Sequence, residues 1–303
     1  MSEEASSSWC CASCGIAEID DVKLRECDGC DLVRYCSDEC KQDHKSQHEE
    51  ECKKRAAELR DELLFKQPES THMGDCPICS VPLPIEISKY AMNCCCSKEI
   101  CIGCVHANEM RDLLAGRQKK CPFCRHPMAK SHKEANKLRM KRVAANDPAA
   151  ICYVGVMHHR KGHNSRAFDH YSKAAALGLI EAHFKLALLY LDGEGVEKDW
   201  GKGIHHLEEA AIGGHPGARY NLGVHENNSG NGERSVKHLM IAAKQGHDGA
   251  IKMLMEAFKW GYLEKEELAA ALRAQKAAVD ETKSLQRAEA EEFYRKNTAS
   301  ILR

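Results

Sequence analysis

The sequence predicts α+β zinc modules followed by an all-α region: two small cross-braced or interleaved zinc fingers, then a short α/α solenoid. Three observations predict this. Seventeen of the 18 cysteines lie within the first 124 of 303 residues, the other being Cys152. Most of them fall in pairs two or three residues apart, a spacing that lets one tight turn aim two donors at one ion. Beyond Asn146-Asp147-Pro148, cysteine nearly vanishes, and alanine, leucine and glycine recur at a fixed period.

Composition narrows the classes. At roughly 100–200 residues per domain the chain holds two or three domains. Lys+Arg 44 against Asp+Glu 45 leaves no global basic field for nucleic acid. Mean hydropathy is −0.52, and no apolar run approaches the ~20 residues of a bilayer-spanning helix. The opening MSEEASSSW has neither a basic start nor an apolar stretch, which argues against a secretory leader. A long chain without a leader is not a disulfide scaffold, so the thiols point to metal binding in a reducing compartment, cytoplasmic and/or nuclear.

The first module reads Cys11-x2-Cys14, Cys27-x2-Cys30, Cys36-x3-Cys40 and His48-x3-Cys52. Eight donors in four pairs suit two tetrahedral zinc ions. So short a segment with so few large apolar side chains cannot bury a sufficient core unaided, and bound metal then supplies folding free energy. Arg34-Tyr35-Cys36-Ser37, Cys40, Gln42, His48 and Cys52 resemble a MYND finger over residues 11–52. That resemblance implies interleaved sites: Cys11, Cys14, Cys36 and Cys40 on one zinc, and Cys27, Cys30, His48 and Cys52 on the other. His44 stands where the family commonly has Trp, which makes it the alternative donor to His48. Cys10 is spare. The resemblance further implies docking of short, often proline-containing peptides. Zinc with four protein ligands keeps no open position for catalysis.

Residues 49–66 predict a helix, with Ala57, Leu59, Leu63 and Leu64 as its apolar positions. Gln67-Pro68-Glu69-Ser70 ends it, and residues 53–75 form helix and linker. The second module, residues 76–127, reads Cys76-x2-Cys79, Cys94-Cys95-Cys96, Cys101-x2-Cys104 and Cys121-x2-Cys124. It resembles an all-cysteine RING finger. That resemblance implies one zinc on Cys76, Cys79, Cys101 and Cys104, and a second on Cys121, Cys124 and two of Cys94, Cys95 and Cys96. The pair Cys94 and Cys96 fits the family spacing best, with Cys95 and Cys96 as the alternative. RING fingers commonly act as E3 ubiquitin ligases, holding a ubiquitin-charged E2 in an attack-ready arrangement without a covalent intermediate. Ile78 and Pro122 match the family's apolar E2 contacts. Arg125 matches an Arg that bridges E2 and ubiquitin. Asn108 stands where an apolar or Trp contact is usual, so the E2 surface is incomplete.

Residues 117–142 carry ten Lys/Arg against one acid, Glu134, and read as helical from Ala129. Such a connector, assigned to 128–148, suits a solvated helix beside electronegative zinc centres. Fifteen thiolates and four zinc ions together take the formal charge from −1 to about −8. An acidic partner, nuclear import through KLRMKR and nucleic-acid contact are the functional alternatives.

Over 149–262 the repeat is explicit. Ala150, Ala182, Ala218 and Ala250 recur, followed four residues later by Val154, Leu186, Leu222 and Leu254. The pairs Ala174-Ala175, Ala210-Ala211 and Ala242-Ala243 precede Gly178, Gly214 and Gly246 at a constant offset. Each unit predicts two antiparallel helices, with small side chains at the contact and Gly closing the second. Ala182, Leu186, Tyr190, Gly193, Gly195, Asp199, Ala210-Ala211 and Gly214 resemble a Sel1-like repeat, which implies a concave scaffolding surface for protein partners. Residues 264–296 predict one long helix capping the stack, within a C-terminal segment of 263–303. His158-His159 and His205-His206 are expected to be surface residues. The whole reads as a zinc-binding adaptor, with about four zinc ions, two per finger. It recruits proteins through the MYND-like finger and the repeats, and its RING-like finger acts as an E3 or as a non-enzymatic scaffold. Neither a membrane nor nucleic acid is an expected partner.

Overall fold

The computed structural model describes residues 9–18 and 21–301, with side chains to Asn297. The stretch read above for a leader lies almost wholly outside them. The chain divides into residues 1–66 and 67–303.

In the first unit, β1 (Arg25–Glu26) pairs antiparallel with β2 (Arg34–Tyr35), Arg25 opposite Tyr35. Helix α1 runs over Asp38–Phe65. It begins at Asp38, not near residue 49 as apolar spacing suggested. Ser37 caps it, its hydroxyl accepting from the Cys40 N–H at 3.2 Å, and Asp38 and Glu39 complement the positive helix end. The helix is almost wholly polar and buries only His48 and Leu64. Periodicity therefore could not reveal its first turns. The apolar core here is Cys11, Leu24 and Tyr35, too small to hold the unit without further cross-links.

The second unit opens with a hairpin of β3 (Tyr90–Met92) and β4 (Glu99–Cys101), Ala91 opposite Ile100. Helix α2 (Ile102–Leu114) follows directly, with the Cys101 sulfur at its N-cap. Leu83, Ile100 and three cysteines form the core of this part. Helix α3 (His132–Ala144) starts after the Ser131 cap rather than at Ala129. Met128 is held extended there, its N–H donating to the Lys119 carbonyl. Two α3 cations have local partners: Arg139 lies over the Tyr153 ring, and Arg142 donates to Asp147.

Four helix pairs then stack: α4 (Pro148–His159) with α5 (Asn164–Ala176), α6 (Ile180–Asp192) with α7 (Trp200–Ile212), α8 (Pro216–Asn228) with α9 (Gly232–Lys244), and α10 (Asp248–Lys259) with α11 (Lys265–Glu281). Every alanine of the repeat pattern is buried, and Leu186, Leu222 and Leu254 pack beside them. Gly178, Gly214 and Gly246 have φ of 82°, 84° and 88°, the left-handed closure that favours glycine.

The expected single C-terminal helix is two. The chain breaks at Thr282-Lys283-Ser284, and α12 (Leu285–Ile301) turns away from the stack to lie along α2. Ser284 caps it through the Arg287 N–H, and the Arg287 side chain is anchored beyond the stack. Only α11 caps the solenoid.

Candidate metal centres

In the first unit the donor atoms of Cys11, Cys14, Cys36 and Cys40 all lie within 4.8 Å of one another, as do those of Cys27, Cys30, His48 and Cys52. The Sγ separations are 3.5 Å for Cys14–Cys36, 3.6 Å for Cys36–Cys40 and 3.7 Å for Cys27–Cys52. Sulfurs around a tetrahedral zinc with Zn–S near 2.3 Å sit about 3.8 Å apart, whereas disulfide sulfurs sit about 2.05 Å apart. All these thiols are unbridged, so their spacing fits an ion. Helix α1 supplies both His48 and Cys52 on one face, a turn apart. His48 Nε2 lies 3.2 Å from Cys30 Sγ. His44 stands outside the group: its Nδ1 lies 3.1 Å from the Tyr35 hydroxyl, and its ring stacks on His48. Gly29 permits the second group to close, since a Cβ there would meet Cys52 Sγ at 2.9 Å. Cys10 belongs to neither group. Burial raises the Cys11 thiol, but the N–H groups of Cys14, Cys36 and Ser13 outweigh it and bring it down to about 6, favouring the thiolate that zinc requires.

In the second unit Cys76, Cys79, Cys101 and Cys104 form one group, and Cys95, Cys96, Cys121 and Cys124 the other. First and third pairs thus converge, as do second and fourth. Cys79–Cys101 and Cys96–Cys121 are both 3.8 Å apart, and Cys95–Cys124 is 3.3 Å apart. Burial raises Cys76, yet the N–H groups of Cys101, Cys79 and Ile78 bring it down to about 7.

Of the two pairs left open by the sequence, the structure brings Cys95 and Cys96, rather than Cys94 and Cys96, to Cys121 and Cys124. Three turns of this module share one form, with the residue after the last cysteine left-handed: Ser80 (φ 54°), Ser97 (56°) and Arg125 (61°). Their N–H groups donate to the carbonyls of Cys76, Asn93 and Cys121. In the middle turn Asn93 therefore occupies the first-cysteine position, and the turn directs Cys95 and Cys96 toward Cys121 and Cys124. Cys94 is left outside, partly buried, its thiol raised by that burial.

Ile78 is 44% exposed inside its turn, and Pro122 is partly exposed in the last one. Arg125 is engaged internally. Its Nη1 donates to Asn108 Oδ1 at 2.8 Å, and Nη2 lies 3.9 Å from Asp112. Asn108 is buried and donates to the Lys120 carbonyl at 2.8 Å. Burial opposes the charge on Asp112, but the Lys120 N–H and Arg111, Arg125 and Arg117 hold its carboxyl below the usual range.

A partly buried group that no sequence pattern announced is His72, Glu181 and His215. Glu181 Oε2 lies 3.0 Å from His215 Nε2 and 3.3 Å from His72 Nε2, and the two rings stack. His215 Nδ1 accepts from the Ala218 N–H, so its proton resides on Nε2 and is donated to Glu181. A protonated nitrogen does not ligate metal; the trio is a charge cluster in which His215 hydrogen-bonds to Glu181 and the His72 ring stacks on His215 beside the same carboxylate. The sequence signal was local only: His215 and His247 cap successive repeats in the same way. The expected surface histidines are split. His159 and His205 are exposed, but His158 stacks on His170 and His206 packs against His183 and Tyr190.

Comparison with known proteins agrees with part of this geometry. Residues 11–52 match the MYND finger family, and residues 148–179 and 180–215 each match the Sel1 repeat. An 86-residue stretch is 35% identical to chitin synthase regulatory factor 4 of Schizosaccharomyces pombe, covering 28% of this chain and 14% of that protein. A Sel1 repeat protein of Oxalobacter formigenes aligns at 27% identity and TM-score 0.41, over 53% of this chain and 67% of the other. A protective antigen of uropathogenic Escherichia coli strains, with an SLR fold, aligns at 21% identity and TM-score 0.41, over 55% and 37%. The family matches place a MYND-type zinc finger at residues 11–52 and Sel1-type repeats at 148–215. Among the described residues no helix is long and apolar enough to cross a membrane.

Proposed function

We propose that residues 76–127 act as a RING-type E3 module, with the MYND finger and the repeats recruiting protein substrates. One observation carries this reading: the convergence of Cys76, Cys79, Cys101 and Cys104 on one centre and of Cys95, Cys96, Cys121 and Cys124 on another. Such a cross-brace presents the turns bearing Ile78 and Pro122 on a rigid base. The chemistry is positioning: this chain would bind the charged E2 and leave the acyl transfer to E2 and substrate. Zinc at the four centres supplies structural cross-linking. Short peptides at the MYND finger and protein partners on the repeats complete the set, in the cytoplasm and/or nucleus. The name of the yeast relative, a regulatory factor, supports the adaptor part of this reading.

The internal hydrogen bond of Arg125 to Asn108 favours a second reading, a scaffold without ligase activity. Self-ubiquitination of the zinc-loaded full chain with a panel of E2 enzymes separates the two. The ligase reading expects ubiquitin chains that Ile78→Ala abolishes and Arg125→Ala weakens. No product with any E2 establishes the scaffold.

A further inference from the structure

The Cys76/Cys79/Cys101/Cys104 centre has a neighbour about two hundred residues away in sequence. Helix α12 lies along α2 and inserts Arg287, only 3% exposed, beside this centre. Its guanidinium is held as a fork. Nη1 donates to the carbonyls of Pro82 at 2.7 Å and Thr282 at 2.5 Å, while Nη2 donates to the Val81 carbonyl at 2.9 Å and lies 3.7 Å from Cys79 Sγ. The adjacent Gln286 Oε1 lies 3.8 Å from Cys104 Sγ. Gly103, between Cys101 and Cys104, makes the approach possible: a Cβ there would stand 2.9 Å from the Arg287 nitrogen and 3.0 Å from its Cγ.

Charge explains the arrangement. Four thiolates around one Zn2+ carry a formal charge of about −2, and three of these cysteines are buried. A buried anion of that size needs a compensating cation. Arg287 stays charged, is fixed by three carbonyls, and still presents N–H to sulfur. Lys89, just before β3, approaches α12 through Glu291 instead, so it does not serve the thiolates.

We propose that Arg287 is a positioning residue for this zinc centre, and that α12 is a working part of the second module: zinc retention by Cys76, Cys79, Cys101 and Cys104 depends on the docked C-terminal helix. The inference goes beyond the ligase reading and holds for ligase and scaffold alike. Residues outside the ligand sphere that hydrogen-bond to ligands typically govern metal affinity by about 10–100-fold.

The test uses zinc-loaded full-length protein titrated with a chromophoric chelator, with cysteine alkylation read residue by residue by mass spectrometry. For Arg287→Met the expected result is zinc loss from this centre at about tenfold lower chelator, with Cys76, Cys79, Cys101 and Cys104 alkylated ahead of the eleven cysteines of the other three groups. Arg287→Lys, which keeps the charge but cannot span the same carbonyls and sulfur, should fall between Met and wild type. Unchanged release in both variants overturns the proposal. So does an equal loss in both, or alkylation spread evenly over all four centres, which would mark a purely structural role. If the Met variant fails to fold, the Lys variant decides alone: selective early loss from this centre upholds the proposal, and wild-type behaviour overturns it.

Discussion

Arg125 and Asn108 are joined by a 2.8 Å hydrogen bond, and the same Asn108 donates to the Lys120 carbonyl. The last cysteine turn is thereby tied to α2 by a polar side chain where an apolar residue was expected to face a partner. Asn108→Ala leaves the Lys120 carbonyl and one face of Arg125 unpaired. A buried group left unsatisfied costs about 1–3 kcal/mol. The urea midpoint of the zinc-loaded protein should fall accordingly, and Asn108→Asp, which keeps the acceptor for Arg125 but loses the donor for Lys120, should fall less. Equal midpoints for Asn108→Ala and wild type would show that the tie is idle.

The choice among Cys94, Cys95 and Cys96 is open to a stoichiometric check. Native mass spectrometry should find four zinc ions per wild-type chain and four in Cys94→Ser and Cys10→Ser. Cys95→Ser and Cys96→Ser should each lose the ion shared with Cys121 and Cys124. In the first unit His48→Ala should lose one ion and His44→Ala none. A Cys94→Ser chain with three ions would reinstate the spacing-based pair.

Local patterns were legible and nonlocal ones were not. A cysteine pair such as Cys76 and Cys79 announces itself because one turn positions both sulfurs. Which members of Cys94-Cys95-Cys96 face the centre depends on the left-handed backbone at Ser97, which serine does not advertise. The alanines of the repeat showed in sequence because each buried position recurs. Helix α1 hid its first turns because it buries almost nothing apolar there, although Ser37 followed by Asp38 and Glu39 was a readable start. The break at Thr282-Lys283-Ser284 lacks Gly and Pro, and its local marks are the Thr282 hydroxyl donating to the Val279 carbonyl and the Ser284 cap of α12. His72 meets Glu181 and His215 only through tertiary packing, which no spacing rule records.

Chelation should affect the two parts of the chain unequally. The first unit's apolar core is Cys11, Leu24 and Tyr35, and α1 is too polar to persist by packing. The solenoid buries its alanines and leucines without any metal. Hydrogen exchange after exhaustive chelation should therefore show β1, β2 and α1 exchanging as unfolded chain while α5 through α9 stay protected. Protection of α1 in metal-free protein would contradict the fit of these donors to a structural ion.

Acid should weaken the solenoid through its half-buried histidine pair His183 and His206. His206 is drawn down from 6.5 to about 4, first by burial and then by the His183 and His205 charges, with Glu209 opposing. Its Nδ1 partner His183 lies 3.1 Å away, so one proton is shared and a second is repelled. Folding therefore favours the neutral form. That contribution is complete above about 6.5, declines as pH falls toward 4, and is exhausted below it. Glu181 adds a loss of the same sign at lower pH. Burial raises its carboxyl, but His215, His72 and Lys185 hold it well below 4.5, so its contribution is present above 4.5 and is lost as acid titrates the folded protein. Zinc ligands also protonate in acid, so the comparison must be between variants. The fall in Tm between pH 7.5 and pH 4.5 should be smaller for His206→Gln than for wild type by at least about 3 °C. Since both proteins carry the same zinc centres, an identical fall would mean that His206 takes up its proton without cost to the fold.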